Sequence, residues 1–519
     1  MFELRQFAIC FAMFTSVITS ASRAQETLST RLEAVMNGPD YKQAHWGILA
    51  VDAETGKTVY ERNSDRLFTP ASTTKLYTTA TALATFGPDY KFQTPVYRRG
   101  EVSGSRLKGD LILVASGDLM FGGRTISDGR AAFVDNDHIY ADSNSTKTGV
   151  TDTDPLGALH DLAKQVRQAG IKQIDGDILI DDRLFPKAEG SGSGPSILSP
   201  IIVNDNIVDL IVTPGELGKP AMVKMRPECS LVQMDAQVET VEKGRSPHVE
   251  VHGAGPQRFT VRGHIAVDAK PAVRIWPVDD PALFARALFI DCLRREGITV
   301  RTSPLQRPTA ELPPRKSYEE TTRIALHESL PLSEAIKVTL KVSHNLYAST
   351  LPLLVAAKHD QSSIADGLRW QRRFLQDLDV PVNTISFGGG AGGNNADCVT
   401  PRATVKLLQG MRQRKEYDAW HAGFPVLGID GTLAESVDPK SPARGKAQAK
   451  TGTISWYDSM NGRVLERSKA LAGTLTTANN REVYFAMFVN NVPLPPGVSP
   501  TREGRTLGKL CEILYEWGP

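Results

Sequence analysis

The chain has 519 residues, 41% of them apolar and 23% charged, with a formal net charge of +2. That length exceeds one ordinary core and predicts two or three domains. The near-neutral balance excludes a chain built to coat nucleic acid or an anionic membrane, and the sequence carries no heptad run or fixed-period repeat.

The chain opens on Arg5 and an almost unbroken apolar run over residues 7–18, too short to span a bilayer. Ser22-Arg23-Ala24 follows, with small residues where a signal peptidase reads. This predicts a secretory signal over residues 1–24, cleaved between Ala24 and Gln25, and an exported chain with at most peripheral membrane association. An uncleaved anchor is the alternative. Cys10 lies too early for a lipidation site.

Trp46-Gly47-Ile48-Leu49-Ala50-Val51 reads as a strand, Glu54-Thr55-Gly56 as a turn and Thr58-Val59-Tyr60 as the returning strand. A helix is predicted behind Pro70-Ala71-Ser72, with Leu76, Ala80 and Leu83 on one face and a stop at Gly87-Pro88. It is rich in threonine, so its stability is expected from packing. Over residues 92–275 short β-type runs alternate with Gly and Asp turns, as in Leu111-Ile112-Leu113-Val114 and Ile178-Leu179-Ile180. This block reads as mostly β material inserted into another domain.

Helical pattern returns at 281–296, then from Ser333 with Ile336 and Leu340 on one face, and again over 346–357. Ser343-His344-Asn345 interrupts the last two. Strands are predicted at 446–453, 471–477 and 483–489, and a closing helix at 505–515. The first hairpin and the last strands suit one antiparallel sheet, with the terminal helices on one face and the middle helices on the other. The expected fold class is therefore α/β (α+β) and multidomain. Residues 25–91 and 276–519 form a discontinuous catalytic domain around the 92–275 insertion.

Three short elements carry chemistry: Ser72-Thr73-Thr74-Lys75, Ser343-His344-Asn345 and Lys450-Thr451-Gly452. A serine hydroxyl needs a base to become a nucleophile, and lysine serves only if its pKa is depressed. Positions i and i+3 share a helix face, so Lys75 can reach Ser72. Lys450 is the second cation, able to depress Lys75 and to attract a substrate carboxylate. Ser343 suits a proton relay to a leaving amine, and Asn345 can orient Lys75 and hold a substrate amide. Thr451 and Thr453 add hydroxyls, Gly452 lets a ligand approach the strand, and the Ser72 and Thr453 amides are the expected oxyanion donors. Decoys exist at Ser105-Arg106-Leu107-Lys108, Ser459-Met460-Asn461 and Lys147-Thr148-Gly149, but they lack the order or the local structure. Cys229, Cys292, Cys398 and Cys511 leave disulfides and free thiols both open, and no zinc spacing is present.

With these residues in place, the mature chain resembles a low-molecular-mass penicillin-binding protein of the D-alanyl-D-alanine carboxypeptidase/endopeptidase family, peptidase S13 or the penicillin-binding protein 4 type. The long stretch between Lys75 and Ser343 suits that group, whose large two-part insertion implies two subdomains within residues 92–275. Gly176-Asp177-Ile178-Leu179-Ile180-Asp181-Asp182, Val203-Asn204-Asp205-Asn206, Asp430-Gly431-Thr432-Leu433 and Ala449-Lys450-Thr451-Gly452-Thr453 match its segments. Three departures stand out: His344 where aspartate is usual, Gly389-Gly390-Ala391-Gly392-Gly393-Asn394 for a usual Asp-Gly-Ser-Gly-Leu-Ser, and Ser349 for a usual glutamate. None is a core catalytic group.

The resemblance implies a penicillin-binding/serine β-lactamase-like transpeptidase domain and a periplasmic enzyme. It implies an acyl-enzyme on Ser72, peptidoglycan peptides and β-lactams as partners, and neither metal nor organic cofactor. β-Lactamase or esterase chemistry on the same fold is the first alternative, and a catalytically weak wall-binding protein the second. Trp46 and Trp456 are expected to pack, with lining of the cleft the alternative for Trp456, and His344 to face the cleft from its loop.

Overall fold

The apolar run at Trp46 forms the strand His45–Asp52, inside a five-stranded sheet. The computed structural model describes residues 27–141 and 147–517, and the predicted leader over 1–24 lies outside them. The sheet runs Ala447–Asp458, Arg463–Thr476, Glu482–Pro493, His45–Asp52, Thr58–Arg62, with every neighbouring pair antiparallel. Both ends of the chain therefore contribute strands to it.

The run is continuously apolar because both faces of the sheet are covered. Trp46, Ile48 and Ala50 point into a core with Leu32 and Met36 of the helix Leu28–Met36 and Leu507, Leu510 and Leu514 of Thr501–Tyr515. Leu49 and Val51 point the other way, into a core with Leu76, Leu83, Leu346, Leu351 and Leu407. This is the period-2 alternation of a strand put to use on two cores at once.

The threonine-rich helix is Thr74–Phe86, preceded by a 3-10 turn at Ala71–Thr73. Its residues 74–83 are all buried. The hydroxyls of Thr79 and Thr81 donate to carbonyls four residues back, at 2.6 and 2.8 Å, so the buried helix leaves them satisfied.

A second core lies in the block after Phe92. A six-stranded sheet there contains Gln93–Ser103, Arg106–Val114, Gln173–Ile174, Ile178–Asp181, Thr299–Val300 and Thr322–Glu328. Two three-stranded sheets accompany it, one built on Ile207–Thr213 and one on Arg258–Ala266. The helix Pro281–Arg295 belongs to this core, with Phe284, Leu288 and Cys292 packed among Leu111, Leu159 and Ile178. The sequence pattern alone groups this helix with the discontinuous domain that resumes at residue 276. Periodicity identifies a helix but not the sheet it covers, and the pairing of Thr322–Glu328 with Gln93–Ser103 ties residues 281–328 to the inserted block. That block also contains the helix Gly157–Gln168, whose apolar face is Ala158, Leu159, Leu162, Ala163 and Val166.

Cys229, Cys292 and Cys511 are buried free thiols, and Cys398 is a partly exposed one. Among the described residues no helix is long and apolar enough to cross a membrane.

Candidate active site

Ser72 sits on the 3-10 turn that opens the buried helix, behind Ala71 at φ 48°. Ser343 sits at φ 61° in the turn between the helices Leu332–Lys341 and Asn345–Lys358. Non-glycine residues rarely occupy this left-handed region, and two of them flank one cleft. Lys450 lies on Ala447–Asp458, the edge strand of the five-stranded sheet.

These three places converge. Lys75 Nζ lies 2.7 Å from Ser72 Oγ, 2.8 Å from Asn345 Oδ1 and 3.0 Å from the Ala391 carbonyl. Lys450 Nζ donates to Ser343 Oγ at 2.9 Å and to the Thr451 carbonyl at 2.8 Å. Asn345 Nδ2 donates to the Ser193 carbonyl at 3.0 Å, which fixes Oδ1 toward Lys75. Both lysines are fully buried.

Burial drives the Lys75 pKa well below its ordinary value, and the Lys450 charge drives it further in the same direction. Asp397 pulls the other way. Burial alone brings Lys450 down to about 7. Of the three Lys75 partners, the Asn345 oxygen and the Ala391 carbonyl can only accept. As an ammonium Nζ donates to all three partners, and once deprotonated it keeps two N–H groups for those two acceptors and turns its lone pair to Ser72 O–H. The arrangement is a base aimed at a hydroxyl.

The cleft above Ser72 holds about 610 Å³ and is lined by Ser72, Ser343, Asn345, Thr451 and Thr453, with Tyr140 and Ser193 from the inserted block. Thr451 Oγ1 donates to Thr432 Oγ1 at 2.7 Å. The Tyr140 hydroxyl donates to the Ser343 carbonyl. Two decoys stay apart: Ser105 and Lys108 lie on the hairpin of Gln93–Ser103 and Arg106–Val114, and Ser459 and Asn461 lie beyond the end of the edge strand. The third reaches the cleft, where Thr148 lines the wall and Lys147 pairs with Glu435.

Several contributors were invisible in the sequence. The glycine-rich loop departs from the family pattern but touches the site directly through the Ala391 carbonyl. Gly392, at φ 88°, has no room for a β-carbon, which would lie 1.9 Å from the Ala71 carbonyl. Asp397 supplies a buried acid behind this loop, accepting from the Gly388 and Asn394 amides at 2.7 and 2.9 Å. Ser349 packs on the same side, where its Oγ accepts from the Ser191 amide at 3.4 Å.

Three expectations change. Gly452 does not clear space for a ligand: a β-carbon there would lie 2.5 Å from the Pro70 carbonyl, so the glycine lets the strand close onto the Ser72 turn. Trp456 does not pack; it is 64% exposed on the outer end of the edge strand. His344 faces away from the cleft. It is fully buried, caps its helix by accepting from the Tyr347 amide at 3.4 Å, and directs Nε2 toward Asp205 Oδ2 at 3.3 Å. Trp46 is buried, as a packing residue should be.

Asp137, Asp205 and His344 have the spacing of a metal triad. Arg124, however, donates to both Asp137 oxygens at 2.8 Å and to Asp205 Oδ2 at 2.6 Å. His138 bridges Asp205 and Asp209 at 2.8 and 2.6 Å. The donor set is already occupied by protein cations, so the cluster fits an ion-pair network and not a metal site.

A serine and two buried lysines beneath a helix-covered antiparallel sheet define the class: a serine hydrolase of the penicillin-binding and serine β-lactamase fold. The chain belongs to the D-Ala-D-Ala carboxypeptidase 3 (S13) family, whose profile matches residues 28–505. It is 27% identical over 477 residues to the D-alanyl-D-alanine carboxypeptidase of Actinomadura sp. (strain R39), covering 86% of this chain and 80% of that one. It is 23% identical over 466 residues to the D-alanyl-D-alanine carboxypeptidase DacB of Haemophilus influenzae, covering 86% and 85%. The crystal structure of penicillin binding protein 4 from Haemophilus influenzae superposes with a TM-score of 0.68 at 21% identity, over 93% of this chain and 98% of that one.

Proposed function

We propose that this chain is a serine DD-carboxypeptidase that also acts as a DD-endopeptidase on peptidoglycan stem peptides, with Ser72 as the acylated residue. Ser72 Oγ attacks the carbonyl carbon of the bond before a terminal D-alanine or a D-centred cross-link, and its proton passes to Lys75 Nζ. The Ser72 and Thr453 amides hold the oxyanion. The C–N bond breaks, the leaving amine takes the proton through Ser343 Oγ, and an ester remains on Ser72. Water hydrolyses that ester and restores the serine.

The observation that carries this reading is Lys75 Nζ at 2.7 Å from Ser72 Oγ, with its two other partners pure acceptors. Family membership supports the same reaction. In a β-lactam the amide is inside a ring, so acylation opens the ring without releasing an amine, and the ester persists. We also infer that residues 1–24 direct export to the periplasm, where the substrate would be.

Labelling with fluorescent penicillin tests the proposal. Wild type takes the label on Ser72 and Ser72→Ala takes none. A folded wild type that stays unlabelled, or a Ser72→Ala variant that labels normally, overturns it.

A further inference from the structure

The loop beneath Lys75 has almost no side chains of its own. Residues 388–393 read Gly-Gly-Gly-Ala-Gly-Gly. A β-carbon on Gly390 would lie 2.0 Å from the Ala348 carbonyl, and one on Gly392 would lie 1.9 Å from the Ala71 carbonyl. The loop is therefore wedged between the helix Asn345–Lys358 and the Ser72 turn. From there it presents two carbonyls to the helix Thr74–Phe86. Gly390 accepts from Thr78 Oγ1 at 2.9 Å, and Ala391 accepts from Lys75 Nζ at 3.0 Å.

A backbone so rich in glycine loses much conformational entropy on being ordered, so the aim of those carbonyls needs a support. Asp397 supplies it. Its Oδ1 accepts from the Gly388 amide at 2.7 Å and its Oδ2 from the Asn394 amide at 2.9 Å. Its own amide donates to the Asn394 carbonyl at 3.1 Å. One carboxylate thus fastens both ends of the loop, and it is fully buried. Burial pushes its carboxyl up, opposed by the two amides and by Lys75. Among the described residues, Lys75 is the charged side chain that acts on Asp397. Lys75 in turn feels two charges of opposite sign, Lys450 from the edge strand and Asp397 from the end of the loop. The Asn345 side chain that faces it from the third element is neutral.

We propose that Asp397 is the positioning residue of the base: it fastens the glycine-rich loop so that the Ala391 carbonyl meets Lys75 Nζ, and its carboxylate is the counter-charge for the ammonium formed when Ser72 gives up its proton. This rests on the reaction proposed above. In that step the Ser72 O–H bond breaks, Nζ takes the proton, and a neutral amine becomes a buried cation. Its three N–H groups face Ser72 Oγ, Asn345 Oδ1 and the Ala391 carbonyl. Two of these are neutral acceptors, the third is becoming an ester oxygen, and Lys450 stands nearby with a repelling charge. A buried ammonium in that company needs an anion. Asp397 provides it one loop away, through a backbone that it holds in place.

The test is the pH profile of acylation by benzylpenicillin in wild type, Asp397→Asn and Asp397→Glu. Asparagine keeps the shape and loses the charge. Without the anion Lys75 is a weaker base, so the acid limb of the profile moves to lower pH and the plateau falls roughly tenfold. Glutamate keeps the charge on a longer stem, so its plateau falls through the displaced loop while its acid limb stays near that of wild type. An unmoved acid limb in the Asn variant, an unchanged plateau, or a Glu limb that moves as far as the Asn limb overturns the proposal. Thermal unfolding at the acid end of the profile gives a second reading. Asp397→Asn lowers the Tm less in a Lys75→Met background, where neither the cation nor its bond to Ala391 remains, and an equal drop in both backgrounds overturns the proposal. Wild-type acylation separates the two readings. Its absence is a failure of the serine chemistry, whereas its presence with an unmoved limb in Asp397→Asn is a failure of the role of Asp397.

Discussion

Asp205 Oδ2 lies 3.3 Å from His344 Nε2, on the side of the Ser343–Asn345 turn away from the cleft. Asp205 comes from the block after Phe92 and His344 from between Ser343 and Asn345, so the contact ties that block to the cleft turn. Asp205 also accepts from Arg124, His138 and the Tyr347 hydroxyl. Burial works against its charge, but Arg124 holds its carboxyl well below the usual range. His344 itself is pushed down by burial, with Nδ1 accepting at the cap and Nε2 directed toward Asp205.

This relationship predicts the outcome of restoring the aspartate usual at position 344 in similar proteins. His344→Asp keeps an N-cap acceptor but adds a carboxylate beside Asp205 and Asp137. It should destabilise the protein by ~3 kcal/mol, read as a lowered Tm, and slow acylation by loosening the Ser343 turn. Adding Asp205→Asn should recover part of the loss.

The same network predicts a pH dependence of stability. His138 is held up at about 10: burial opposes the charge, and Asp209 and Asp137 more than offset it. A histidine raised above its unfolded value of 6.5 contributes stability that is full below 6.5 and lost as pH rises through about 10. Denaturation midpoints between pH 6 and 10 should fall more steeply in wild type than in His138→Gln, although the variant is less stable at neutral pH.

Lys75 must be unprotonated to accept the Ser72 proton. Its pKa is depressed by burial first and by Lys450 second, so acylation should reach its plateau well below pH 10.5. Removing the neighbouring cation with Lys450→Ala lets Lys75 keep its proton to higher pH, and the acid limb of the penicillin acylation profile should move up. Lys75→Arg should lose roughly a thousandfold in acylation rate, because a guanidinium does not release its proton.

The glycine-rich loop makes a steric prediction. Gly392→Ala places a β-carbon 1.9 Å from the Ala71 carbonyl and imposes a left-handed backbone on alanine. A loss of ~2 kcal/mol or more is expected, with slower acylation, because the displaced atom belongs to the Ser72 turn. Gly389→Ala has a single neighbour, Asn394 Nδ2 at 3.0 Å, and should be far milder on both readouts.

The chemistry legible in the sequence was the part encoded by local spacing. Ser72 and Lys75 are three residues apart on one helical turn, and the two other motifs declare themselves by residue type and order. What escaped was of two kinds. The third partner of Lys75 is the Ala391 backbone carbonyl, which no side chain announces. His344 and Asp205 meet only because the insertion folds back on the SxN turn, so neither residue alone reveals a partner. The fold shows the same division. Alternation and helical period located His45–Asp52 and Asn345–Lys358, but could not tell which sheet Pro281–Arg295 would cover.

The most direct measurement is mass spectrometry of peptidoglycan stem pentapeptides incubated with wild type and with Ser72→Ala. The account predicts loss of the terminal D-alanine with wild type and an unchanged pentapeptide with the variant. Release by Ser72→Ala, or an unchanged pentapeptide with a folded wild type that penicillin does acylate, would contradict it.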